Sequence, residues 1–140
     1  MKNDSTPPQA ILESALYAHD LDAAQTFYQD ILGLEIITRV GNRHVFFRLQ
    51  SGVLLIFNPD ETEEKTSNTA LPVPAHGARG PGHLGFAATR AQIDIWRDRL
   101  RAHGVEIEAE FDWPGGARSL YFRDPAGNSL EFVEPRLWGV

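Results

Sequence analysis

Hydrophobic positions along the chain switch between a helical and a strand period, and the switching happens twice. Leu21, Ala24, Phe27, Tyr28, Ile31 and Leu32 recur three and four residues apart, the stripe of an amphipathic helix. Asp20 stands where a cap accepts the first free amide, and Gly33 where a left-handed residue ends the helix. A second stripe, Ile93, Trp96 and Leu100, follows Thr89-Arg90-Ala91-Gln92, the order of a capping box, and stops before Gly104. A short β-rich segment precedes each helix, from Glu13 and from His83, and three more follow it. These are residues 35–40, 44–49 and 53–57, then 106–111, 119–123 and 129–133, with Gly41-Asn42, Ser51-Gly52, Pro114-Gly115-Gly116 and Asp124 to Gly127 as the turns between them.

The two halves also match residue by residue. Glu13 to Ala18 corresponds to His83 to Ala88, and Gly33-Leu34-Glu35-Ile36 to Gly104-Val105-Glu106-Ile107. Phe47 to Phe57 aligns without a gap to Phe122 to Phe132. The pattern predicts an α+β fold of two βαβββ modules forming a cupped mixed sheet, about 11–58 and 83–135, in one domain spanning 11–135. A loop at 59–82, rich in Pro, Gly and polar residues, joins the modules, with loose tails at 1–10 and 136–140.

Composition narrows the partners. With 140 residues, 42% hydrophobic and 23% charged, the chain can bury a real core in one domain. Thirteen basic against nineteen acidic residues leave a net charge of -6, which argues against nucleic-acid phosphates and anionic membranes as partners. The longest wholly apolar run, Val53 to Phe57, is far too short for a membrane span, and the first ten residues lack the apolar core of a secretion signal. Cytoplasm is therefore the expected location. Cysteine is absent, so thiolate ligands, disulfides and cysteine nucleophiles are excluded.

Metal ligation by oxygen and nitrogen needs carboxylates and imidazoles that converge from different strands. Glu13 and His83 hold equivalent places on the two first strands, so a pseudo-twofold pairing of the modules would bring them together. Glu131 alternates with the apolar Leu130 and Phe132 on the last strand, where a charge needs a partner. Each has a plainer alternative: Glu13 exposed at a strand start, His83 capping the turn after Pro81-Gly82, Glu131 paired with Arg48 or Arg123. Around this set, His76 is a candidate proton shuttle, Arg118, Ser119 and Tyr121 are candidate contacts for an anionic substrate, and Phe57 and Trp113 are candidate apolar walls. His19, His44 and His103 fall at element ends and receive no role.

Leu16 to Leu34, with Gly82-His83-Leu84-Gly85-Phe86 and Tyr121 to Glu131, resembles the vicinal oxygen chelate superfamily of glyoxalase I, extradiol dioxygenases, methylmalonyl-CoA epimerase, fosfomycin-resistance transferases and bleomycin-binding proteins. The resemblance covers about residues 11–135 and implies the glyoxalase-like fold, a homodimer and a small-molecule substrate. Carried over by position, it implies Glu13, His83 and Glu131 as metal ligands, with Glu13 and Glu131 as the catalytic carboxylates. Ile56 falls where a fourth ligand stands in glyoxalase I, by the ungapped repeat alignment. Such a set suits a divalent ion, Mn, Fe(II), Mg, Ni or Zn. Because Glu13 replaces a histidine of the dioxygenase and fosfomycin patterns, lyase or isomerase chemistry comes first. Dioxygenase or thiol-transferase chemistry is the alternative, and a non-catalytic small-molecule (antibiotic) binding protein is the rival of a different class.

Overall fold

The computed structural model describes residues 6–140. The first module runs through β1 (Glu13–Tyr17), α1 (Leu21–Thr26), β2 (Glu35–Val40), β3 (His44–Arg48) and β4 (Val53–Phe57). A short helix α2 (Pro59–Thr62) opens the connecting loop. The second module repeats the order as β5 (His83–Ala87), α3 (Arg90–Ala102), β6 (Ala109–Asp112), β7 (Arg118–Arg123) and β8 (Ser129–Val133). Each module forms its own four-stranded sheet, ordered β1-β4-β3-β2 and β5-β8-β7-β6. The first strand lies parallel to the fourth in each, and the other neighbours are antiparallel. The expected α+β class and βαβββ repeat are therefore present.

The caps form as their residue types dictate. Asp20 Oδ1 accepts from the Ala23 amide at 3.0 Å, and Gly33 turns the chain at φ +74°. Thr89 and Gln92 close the capping box of α3. After α1 the coil widens to a π turn over Phe27–Ile31, so that the Leu32 amide donates to the Phe27 carbonyl. The wider turn accommodates two adjacent buried rings, Phe27 and Tyr28, whose centroids stand 5.1 Å apart edge to face.

Several boundaries differ from the sequence pattern, β3 and β7 by a single residue and others by more. β6 begins at Ala109 because the Val105 amide still bonds back to Leu100 of α3, and Val105 and Ile107 pack on the core before the ladder starts. The segment Pro135–Trp138 is a 3-10 turn tied by Arg136 to the Gly116 carbonyl at 2.7 Å. Proline at its first position favours that turn, so most of 136–140 is structured. At the other end residues 6–12 are exposed and form no strand, and the first five residues of the expected tail lie outside the described residues.

One core serves both modules. Leu16, Phe27, Tyr28, Phe47, Leu54 and Ile56 join Ile93, Leu100, Phe122, Leu130 and Phe132 in a single buried cluster. Each such side chain contributes about 1.5–3 kcal/mol on leaving water. Polar bonds cross the same junction. The Tyr28 hydroxyl donates to Asp124 Oδ2 at 2.6 Å, and the buried Asn128 side chain accepts from the Gly82 amide and donates to the Tyr17 carbonyl. Burial, followed by the negative charge of Asp124, holds the Tyr28 hydroxyl well above its ordinary pKa. The modules thus share their buried faces, and each sheet turns its other face outward.

Candidate metal and substrate site

Alternation along each strand decides which side chains reach the outward face. In the second sheet, register aligns Gly85 with Glu131 and Glu131 with Tyr121. His83 Nε2 stands 3.1 Å from Glu131 Oε1, and His83 Nδ1 stands 3.0 Å from the Ser129 carbonyl. A carbonyl only accepts, so Nδ1 carries the hydrogen, and a neutral imidazole then presents its Nε2 lone pair to the carboxylate. Two acceptors at that distance need a proton or a cation between them. At 3.1 Å the two groups make a hydrogen bond or ion pair, and the same separation, about 3 Å, is compatible with two ligands bound at about 2.0–2.2 Å to one ion at a near-right angle.

The surroundings agree with that reading. The Glu131 side chain is only 13% exposed, and among the described residues its Oε2 is buried without a hydrogen-bond partner. Neither arginine raised as its partner reaches it: Arg48 faces Glu35, and Arg123 pairs with Glu108. Gly85 leaves the room the carboxylate occupies, since a Cβ there would stand 3.2 Å from Glu131 Cγ. Tyr121 stacks between His83 and Phe111, and burial together with the Glu131 charge raises its hydroxyl pKa. Trp113 donates through Nε1 to the buried Ser119 Oγ at 2.9 Å and packs edge-on against Phe111. Trp113, Phe111 and Tyr121 form one aromatic wall beside His83 and Glu131.

Arg118 does not join this wall. It shares the face of Leu120 and Phe122, the opposite side from Ser119 and Tyr121, and its guanidinium is held by Asp112 and Glu110. The assignment of Arg118 to an anionic substrate is therefore corrected by strand parity.

The outward face of the first sheet carries Glu13, exposed at the start of β1. It lines a cavity of about 430 Å³ with Leu55, Phe57 and His76. His76 Nδ1 lies 2.7 Å from the Tyr17 hydroxyl, and its ring meets Phe57 edge-on at 4.5 Å. His44, set aside in the sequence, stacks on Phe46 with centroids 4.0 Å apart on this face. Within one chain Glu13 does not meet His83 and Glu131. Among the described residues no three His, Asp or Glu side chains are grouped to hold a metal ion. The reason is architectural, because the modules spend their inner faces on the shared core.

The Ile56 position is also corrected. Ile56 is fully buried on the core side, whereas the register partners Ala15–Leu55 and Gly85–Glu131 make Leu55 the equivalent of Glu131. The turn between β7 and β8 is one residue longer than that between β3 and β4, which displaces the ungapped alignment. Leu55 offers no ligand atom either, so of the positions carried over to the first module only Glu13 is a candidate ligand.

The sequence model described as the Glyoxalase/Bleomycin resistance protein/Dioxygenase superfamily matches residues 10–132. Among solved structures, lactoylglutathione lyase from Agrobacterium tumefaciens is 46% identical with a TM-score of 0.92, over 96% of this chain and 100% of that one. A glyoxalase/bleomycin resistance protein/dioxygenase from Nocardioides is 26% identical with a TM-score of 0.72, over 94% of this chain and 86% of that one. The fosfomycin resistance protein FosX of Listeria monocytogenes is 27% identical over 116 residues, 78% of this chain and 77% of that protein.

Proposed function

The chain belongs to the glyoxalase/bleomycin resistance protein/dioxygenase superfamily, and from that premise we propose that it is a divalent-metal-dependent enzyme of lyase or isomerase type, acting on a small molecule through two adjacent oxygens. The observation that carries this reading is the His83–Glu131 pair, with Nε2 3.1 Å from Oε1 of a carboxylate whose second oxygen is buried and unpartnered among the described residues. Glu13 completes the set in a twofold dimer that lays the outward face of the first sheet on that of a partner's second sheet. Such an interface forms twice by symmetry and yields two equal sites. Similarity to a structure named as a lyase, at 46% identity, supports this chemistry ahead of the alternatives.

Glu13, His83 and Glu131 would hold a divalent ion, Mn, Fe(II), Mg, Ni or Zn, which would supply Lewis-acid chemistry to the substrate oxygens. Glu13 and Glu131 balance its charge, and either carboxylate is placed to accept a proton from a carbon next to those oxygens and return it. His76 and Tyr17 form a hydrogen-bonded pair on the Glu13 face that can pass that proton to solvent. Trp113, Phe111 and Tyr121 shield the other side from water.

Metal content of gently purified protein tests the ligand set. The expected result is about one transition-metal ion per chain, lost in Glu13→Ala, His83→Ala and Glu131→Ala with secondary structure retained. Unchanged metal content in the three variants would remove the assignment.

A further inference from the structure

We propose that Arg43 and His44 form an anion subsite of this same site and take a carboxylate group of the substrate. The inference rests on the outward face of the first sheet being half of the active site, and it names the class of substrate: a small carboxylic acid.

Most arginines of this acidic chain are matched to carboxylates, as with Arg97 and Glu110, Arg118 and Asp112, Arg123 and Glu108. Arg43 is half-buried, and among the described residues no carboxylate lies within ion-pairing distance of it. Instead its Nη1 donates to His44 Nδ1 at 2.7 Å, and its guanidinium lies 5.8 Å from the Phe57 ring centroid. A guanidinium only donates, so His44 Nδ1 accepts and the imidazole is neutral, with its hydrogen on Nε2. Burial, then the Arg43 charge, holds the His44 pKa below its usual value, in agreement with that tautomer.

The arrangement fixes two kinds of donor, the rest of the Arg43 fork and His44 Nε2, against the aromatic surface of Phe46 and Phe57. The cavity lined by Arg43 and the one lined by Glu13 both border Val73 and Pro74, and Phe57, which lines the Glu13 cavity, lies beneath the Arg43 guanidinium. Glu61, Glu64 and Lys65 also line the Arg43 cavity. Arg43 and Lys65 offset Glu61 and Glu64 in that lining, so its net charge is close to zero, and a single negative charge beside Arg43 meets less opposition from the two glutamates than a double one. That balance selects a carboxylate over a phosphonate dianion, and a planar carboxylate also suits the planar fork.

The subsite lies within one module, so it can be probed in metal-free protein. Histidine ring resonances would be followed by NMR on titration with benzoate, benzamide and phenylphosphonate, with His44→Gln identifying the His44 signal. Benzoate is expected to shift that signal, benzamide to leave it unmoved, and phenylphosphonate to bind no more tightly than benzoate. Arg43→Gln is expected to weaken benzoate at least about tenfold, and Arg43→Lys to recover part of the loss. Equal benzoate binding in wild type and Arg43→Gln, equal binding of benzamide, tighter binding of phenylphosphonate, or no shift at His44 would each overturn the proposal. Metal content of wild type and the ligand variants reports separately on Glu13, His83 and Glu131, so failure of the subsite and failure of the metal reading are told apart.

Discussion

Asn128 is the extra residue of the β7–β8 turn, and its side chain is almost wholly buried. It accepts from the Gly82 amide at 2.8 Å and donates to the Tyr17 carbonyl at 3.1 Å and to Asp124 Oδ2 at 2.9 Å. Truncating it strands a buried amide and carbonyl at the junction of the modules. Asn128→Ala is expected to lower stability by about 1–3 kcal/mol, seen as a lower urea midpoint at unchanged slope. The same residue shows why part of the site was hidden in the sequence. A single-residue insertion leaves the two turns looking alike, yet it moves the equivalent of Glu131 from Ile56 to Leu55. Arg118 was grouped with Ser119 and Tyr121 for a related reason, although one step along a strand reverses the face. The contact of His83 with Glu131 was anticipated in part, since a carboxylate between Leu130 and Phe132 needs a partner. Phe111, Phe46 and Tyr17 were not, although counting alternate positions from Tyr121 and Phe57 across the ladder would have found them.

Helix α3 meets its sheet through charge as well as through Ile93 and Leu100. Arg97 of α3 bonds to Glu110 of β6, and that hydrogen bond, with the charges of Arg97 and Arg118, holds the Glu110 pKa below its ordinary 4.5. Glu134 is lowered likewise, first by the Arg118 amide. A carboxylate depressed in the folded state contributes stability above its unfolded value and loses it as pH falls through the folded value. Urea stability is therefore expected to fall as pH drops below 4.5, with a shallower fall in Glu110→Gln. At the start of the same helix, Thr89→Ala is expected to cost about 1 kcal/mol, measured by thermal unfolding. Both helix starts, β4 and β8 were readable to the residue, because caps and short apolar runs act locally. The π turn and the late start of β6 were not, because they answer to packing of Phe27 and Tyr28 and to the pull of Leu100 on Val105.

For the whole molecule, the decisive feature is that two modules share one core and turn the Glu13 face and the His83–Glu131 face outward separately. The repeat was visible in the sequence, but nothing in it distinguishes modules paired through their outward faces from modules paired through their helices. The shared core answers that question for the single chain, and under the proposed ligand set Glu13 would then come from a second copy. Mixing Glu13→Ala and Glu131→Ala chains, each unable to bind metal alone, tests this most directly. In a heterodimer across which the sites are shared, one site regains Glu13, His83 and Glu131 while the other loses both carboxylates. Unfolding and refolding the two variants together is predicted to restore about a quarter of wild-type metal content through random pairing into twofold dimers. No restoration, with dimers confirmed to have exchanged chains, would contradict a site completed by the partner.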